Sequence, residues 1–213
     1  MRPLTWYNAT RTLGHYKAAQ RSGAIAATIG ALGHLASIRN PDTTGVKLAI
    51  VAIRAGITIS GAVTTAVEFV LRAIYARGFT TDFTTASTPV DMATIANTQK
   101  MRSVGMGASV LGANGPRICT TVVMSGQVMT ADAAPFGMAT LPMLQAVTAT
   151  GTAVALPVGA ATPMVDLYRW DGLGDHPPYL DSNEGVLIQP VVAGPATGTF
   201  ALHVEWTWAE VLA

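Results

Sequence analysis

Charge is scarce in this sequence. Only 12% of its 213 residues are Asp, Glu, Lys or Arg, about half the share of an ordinary soluble domain. A surface so poor in charge is usually buried against something, so a homo-oligomer or a larger assembly is expected. The formal net charge is +1, and the early cations Arg11, Lys17 and Arg21 are scattered. A nucleic-acid binder needs a basic face, so no nucleic-acid partner is expected. Cys119 is the one cysteine, which excludes an internal disulfide framework and leaves stability to packing. Within Arg117–Val123 it reads as a small buried hydrophobe of a strand. Long apolar runs are missing as well. Ser22–Ile38 is uncharged for 17 residues but holds three glycines and His34, too short and too weakly apolar for a membrane span. Lys47 and Arg54 interrupt the next run. About twenty polar and aromatic residues precede any apolar stretch, a poor fit to a signal peptide. No membrane partner is expected.

Hydrophobic residues make up 50% of the chain, enough for a sizeable core. They are mostly Ala and Val, beside abundant Gly, Thr and Pro, a mixture suited to short strands and turns. The stretch Ser37–Phe79 holds the two densest apolar runs, Val46–Ile53 and Val67–Tyr75. The polar turn Arg39–Gly45 precedes the first, and the two runs read as neighbouring strands of a buried sheet. In the second run, Val67, Phe69, Leu71, Ala73 and Tyr75 alternate with Glu68 and Arg72 as in a strand. A helical stripe through Val67, Val70, Leu71 and Ile74 competes, but the Gly/Thr flanks favour strand.

Residues 1–23 carry Trp6, Tyr7 and Tyr16. They are expected to form an N-terminal arm, either docked on a neighbouring subunit or lying on its own domain. Residues 24–213 are expected to form a single β-sandwich domain. Ala24–Ile38 holds one or two strands, with a short helix at Ala24–Leu35 as the alternative. Thr80–Met101 and the glycine-rich Arg102–Gly115 read as a long Thr/Gly-rich connection turned outward. Ile118–Met129, with Gly126 a turn or bulge inside it, Val154–Val158 and Met164–Tyr168 read as strands, and Leu141–Val147 as a short strand or helix. Pro135, Gly137 and Pro142 punctuate the region between.

Near the C-terminus, Val186–Val192, a turn at Ala193–Gly198 and Thr199–Thr207 read as a hairpin. Phe200, Leu202, Val204 and Trp206 share one face of its second strand. About nine strands of five to eight residues, with turn signals between, make an all-β, antiparallel β-sandwich of jelly-roll-like type. Its core is expected to join Val46–Tyr75 to Val186–Trp206.

Chemistry is thinly signalled. No phosphate loop, nucleotide fingerprint or serine elbow occurs, so neither an enzyme nor a cofactor site is expected, and no catalytic residue is assigned. His15, His34, His176 and His203 stand far apart in sequence, and His203 falls on the polar face of a strand. Asp166, Asp171, Asp175, His176, Asp181, Asn183 and Glu184 lie within nineteen residues. They are oxygen-rich enough for calcium but match no calcium-loop spacing, and Asp and Asn are ordinary turn residues. Nothing selects two of Glu68, Glu184, Glu205 and Glu210 as paired carboxylates. Trp170, Trp206 and Trp208 suit either a sugar-stacking platform or a core or subunit interface.

Three segments carry a resemblance. They are Leu35–Pro41 with Thr44-Gly45-Val46; Val67–Tyr75 with Gly78-Phe79-Thr80 and Thr88-Pro89-Val90; and Asn183–Ile188 with Gly198-Thr199, Val204-Glu205-Trp206 and Ala209-Glu210-Val211. They are spread along the chain from Leu35 to Val211, and in them it resembles small β-sandwich virion proteins of tailed bacteriophages. The resemblance implies a decoration (cement) or minor capsid protein in the virion. Such a protein would be a homo-oligomer, with a trimer favoured, contacting the major capsid protein through the arm and the uncharged strand faces. It carries over no catalytic residues. A receptor- or carbohydrate-binding jelly-roll module of a phage fibre or tail is the alternative.

Overall fold

A computed structural model describes residues 12–26, 29–41, 43–61, 63, 67–93, 99–100, 107–143, 161–172, 176–194 and 196–212. They are all-β, with one short 3-10 turn at Gly112–Asn114. The strands are β1 (Thr12–Arg21), β2 (Ile25–Ala26), β3 (Ala36–Arg39), β4 (Val46–Gly61), β5 (Val67–Thr81), β6 (Ser87–Pro89) and β7 (Gln99–Lys100). They continue as β8 (Arg117–Cys119), β9 (Val128–Met143), β10 (Val165–Arg169), β11 (Tyr179–Leu180), β12 (Gly185–Pro190) and β13 (Thr199–Leu212).

Two antiparallel sheets result. One runs β10–β4–β13–β1–β7, with β11 beside β4 and β2 beside β13; the other runs β6–β8–β3–β12–β5–β9. Strands from the two halves of the chain pair in reverse order: β1 with β13, β3 with β12, β4 with β10, and β5 with β9. This is a long antiparallel ribbon rolled on itself, the strand order of a jelly roll. Pairing of β4 with β13 and of β5 with β12 closes each rolled sheet.

The core lies between the sheets. Phe69 of β5 and Phe200 of β13 meet edge to face across it at 5.1 Å, and both are fully buried. On β13, Phe200, Leu202, Val204 and Trp206 all point inward, as their alternation predicts. Trp208 stacks on Tyr16 at 5.7 Å. β5 is a strand with Phe69, Leu71 and Ala73 buried, so the helical alternative fails. The expected joining of the first and last thirds is present in the β4–β13 and β5–β12 ladders.

Several expectations are corrected. β4 and β5 are not hydrogen-bonded neighbours but belong to opposite sheets. β12 and β13 are likewise no hairpin; each enters a different sheet, because the turn between them carries the chain across the sandwich. Pro135 and Gly137 do not break the chain: they lie inside the 16-residue edge strand β9, at shifts of its register on β5. An edge strand with bulges tolerates Pro because no ladder donor is lost there. The long connection is not simply turned outward, since Phe83, Met92 and Leu111 are buried. Ile118–Met129 is not one strand but the short β8, a turn region and the start of β9. Of the expected arm, Thr12–Arg21 is a strand of the larger sheet, and residues 1–11 lie outside the described residues. The strand expected at Val154–Val158 also lies outside them.

Two polar clamps tie the loops to this frame. Asp82 sits between Arg39, at 2.8 Å, and Arg117, at 3.7 Å, with all three side chains nearly buried. Asn40 is buried and donates from Nδ2 to the carbonyls of Val46 and Leu180. It thereby fixes the turn before β4, where Gly45 takes the left-handed conformation (φ +96°).

The two sheets meet where β9 passes β10. Phe136 contacts both Tyr75 and Tyr168, at 4.8 and 5.3 Å. At Gly137 a Cβ would collide with the carbonyl oxygen of Leu167. Gly137→Ala should therefore destabilise the fold by about 1–3 kcal/mol, the usual cost of overpacking, measured by urea unfolding. An unchanged midpoint would mean that β9 and β10 are not in contact there.

Candidate functional site: a charged groove on the larger sheet

Strand register builds a depression on the outer face of the larger sheet. Two neighbouring rows cross β1, β13, β4 and β10: Ala19, Glu205, Arg54 and Asp166, then Lys17, Thr207, Ala52 and Arg169. Small side chains at Ala52 and Thr207 leave room between the longer charged ones. The ladder between β4 and β13 shifts register at Thr207/Trp208, and both Val51 and Ala52 are part-exposed. Bulges commonly re-aim side chains in this way. Trp170 follows β10, and its N–H donates to the Val51 carbonyl at 2.9 Å. The resulting groove has a volume of about 420 Å³ and is lined by the residues of the two rows apart from Ala19, by Val51 and by Trp170.

Its charges form an alternating chain. Lys17 Nζ lies 2.7 Å from Glu205 Oε1, which also faces Arg54 at 3.8 Å. Arg54 Nε lies 3.2 Å from Asp166, whose other oxygen is 3.6 Å from Arg169. Three cations thus share two carboxylates. The excess positive charge falls toward Arg169, whose side chain is 72% exposed. The Arg169–Asp166 pair is exposed and adds little stability, so Arg169 can turn to a ligand at small cost, whereas Lys17 is held by the half-buried Glu205.

Other residues singled out by sequence are dispersed. Asp166 belongs to the groove, whereas Asp181 pairs with Lys47 at 2.8 Å and Glu184 accepts the Asp181 N–H. Asp166 and Asp181 thus face different cations along β4, and Asp175 lies outside the described residues. Among the described residues no group of three or more His, Cys, Asp or Glu is placed to hold a metal ion. Trp206 and Trp208 are core residues, and only Trp170 of the three tryptophans reaches the groove. Glu68 is exposed on β5. Cys119 is buried, and desolvation pushes its thiol up to about 12, so it is no nucleophile at neutral pH. His203 shares a 2.8 Å hydrogen bond with Thr58 Oγ1, and His176 lies against the Tyr179 ring. His15 is on β1.

Two polar arrangements, one buried and one half-buried, escaped sequence reasoning. Glu210, 1% exposed, accepts from the Ser109 hydroxyl and from the Val110 N–H at 3.1 Å. It fastens residues 107–111 to β13, and the Tyr16 hydroxyl donates to the Gly107 carbonyl beside it. The second arrangement is a relay. Arg72 donates from both Nε and Nη2 to Gln189 Oε1, at 3.2 and 2.8 Å. That orients Gln189 Nε2 toward His34 Nδ1, 3.0 Å away. Since an amide nitrogen only donates, Nδ1 must be the unprotonated acceptor and the imidazole neutral. Burial lowers the His34 pKa in agreement.

No family profile matches the chain, and no curated protein sequence matches it. Among solved structures, the Merkel cell polyomavirus VP1 unassembled pentamer aligns over 93% of this chain and 76% of that chain, with 12% identity and a TM-score of 0.17. The fold assignment rests on the strand order of the two sheets.

Two measurements check these arrangements. Glu210→Ala leaves the Val110 N–H and Ser109 hydroxyl without their partner and should cost about 2–3 kcal/mol in urea unfolding; Glu210→Gln should cost less. For His34 the folded-state pKa lies below the unfolded value near 6.5. Its contribution is therefore full above pH 6.5 and is lost as pH falls through the lower folded value, because the unfolded chain takes the proton first. The melting temperature should fall between pH 7.5 and 5.5. His34→Asn, which keeps an acceptor but cannot titrate, should flatten that fall.

Proposed function

We propose that the protein is a structural component of a virus particle. The specific reading is a bacteriophage capsid decoration (cement) or minor capsid protein, acting as a homo-oligomer, a trimer by preference, against the major capsid protein. It would assemble in the host cytoplasm and reside in the virion. Supporting this are the charge-poor chain, the rolled sandwich architecture that capsid proteins share with lectins, and the three segments resembling phage virion proteins. Among the described residues, no helix is long and apolar enough to cross a membrane.

The observation that carries the reading is the outer edge of β9. Among the described residues no strand pairs with it, although it is 16 residues long. Soluble proteins usually guard such an edge with charge, Pro or a bulge. Here Pro135 and a bulge guard the middle, and the only charge is Asp132, already held by Arg77 at 3.1 Å. Val128 and Met138 are 57% and 56% exposed. A different edge strand of the next copy could add to β9 along residues 128–134, where Asp132 is already neutralised by Arg77, and would satisfy the open main-chain groups; such head-to-tail addition is the kind of contact that closes a ring of three.

Sedimentation tests this directly. The wild-type protein should run as an oligomer, while Thr130→Lys and Ala133→Lys should weaken association at least tenfold with an unchanged circular dichroism spectrum. Electron microscopy of intact particles should then place it on the shell. A compact wild-type monomer without affinity for capsids would sink the proposal.

A further inference from the structure

We infer that the groove on the larger sheet is a binding site for a carboxylated saccharide. This does not depend on the virion reading, because it rests on a different face and on different residues. The groove's volume of about 420 Å³ falls in the range of small-molecule sites, roughly 300–1,000 Å³. Its charge pattern selects the ligand class. Among the described residues, Lys17, Arg54 and Arg169 pair with two carboxylates, Asp166 and Glu205, so these ion pairs leave one cation in excess and favour an anionic group over a cationic one. Arg169 is the most exposed of the three, and its contact with Asp166, at 3.6 Å, is long. Its planar guanidinium fork is therefore open to a carboxylate, which it can hold through two parallel hydrogen bonds.

The rest of the lining argues for a sugar over a simple anion. Trp170 is part-exposed and lines the groove. An indole face is electron-rich and apolar, and the C–H face of a pyranose ring is its natural complement. Asp166 and Glu205 keep acceptor lone pairs beyond their ion pairs, and Thr207 can donate or accept. Hydroxyl groups around a ring match such a set, whereas a fully apolar ligand would leave it unpaired. Edge position matters too: β10 ends the larger sheet at the groove side, so a longer glycan can run past Arg169 without meeting a further strand of that sheet among the described residues.

The test is an array bearing uronic-acid and other carboxylated glycans beside their neutral counterparts, followed by calorimetry with trigalacturonate, galactotriose and acetate. Carboxylated glycans should bind selectively over the neutral ones. Trp170→Ala and Arg169→Gln should each weaken that binding at least tenfold while leaving the melting temperature unchanged. Both side chains lie outside the core, so folding should survive. Three results would overturn the inference: no retention of any carboxylated glycan, binding of acetate as tightly as trigalacturonate, or binding indifferent to both substitutions. Loss of oligomerisation through Thr130→Lys with glycan binding intact would separate this site from the β9 edge.

Discussion

Everything in this fold depends on where β13 lies. It pairs along its length with β4 on one side and with β1 on the other, so the larger sheet cannot exist without it. Its inward residues Phe200, Val204 and Trp206 are also core residues, so hydrogen bonding and apolar burial are satisfied by one placement. A slip of one residue would turn Phe200, Leu202, Val204 and Trp206 to the wet face and bury His203 and Glu205. That cost pins the register. The register in turn sets Glu205 opposite Arg54 and Thr207 opposite Ala52, and the groove is a by-product of the same constraint.

The sequence disclosed strands more readily than their partners. Thr199–Thr207 shows its alternation openly, because period two is a local property. Whether β12 and β13 join in one sheet is not local: a Gly- and Pro-containing turn serves a hairpin and a crossing between sheets equally well. β9 was hidden for another reason. Pro135, Gly137 and Pro142 are breakers in most contexts, yet an edge with shifted register accommodates them. Phe83 and Met92 stand alone among Thr, Asp and Ala, and Leu111 follows Val110 in a glycine-rich stretch, so none belongs to an apolar run. Their role as anchors becomes visible only once the connection is folded back.

The groove was still less legible. Lys17, Arg54, Asp166, Arg169 and Glu205 come from four strands, and no spacing in the chain hints at their meeting. Trp170 was noticed beside Trp206 and Trp208, but burial assigns the last two to the core. What sequence registered as an acidic cluster, Asp166 to Glu184, is divided by structure between cations on different parts of β4. The relay of Arg72, Gln189 and His34 likewise depends on β5 lying next to β12.

The rolled ribbon has a consequence for how the protein is made. Tyr16 lies opposite Trp208, roughly 190 positions along the chain, and pairings of such long range fold slowly. During synthesis β1 emerges early and can find its partner only when β13 has left the ribosome. Until then the strand can pair only with the two-residue β7 on its other side, and its longer edge stays bare. A chain built this way reaches its native state as a late, collective event, and its yield should depend on how well the cell shields the unfinished sheet from other copies.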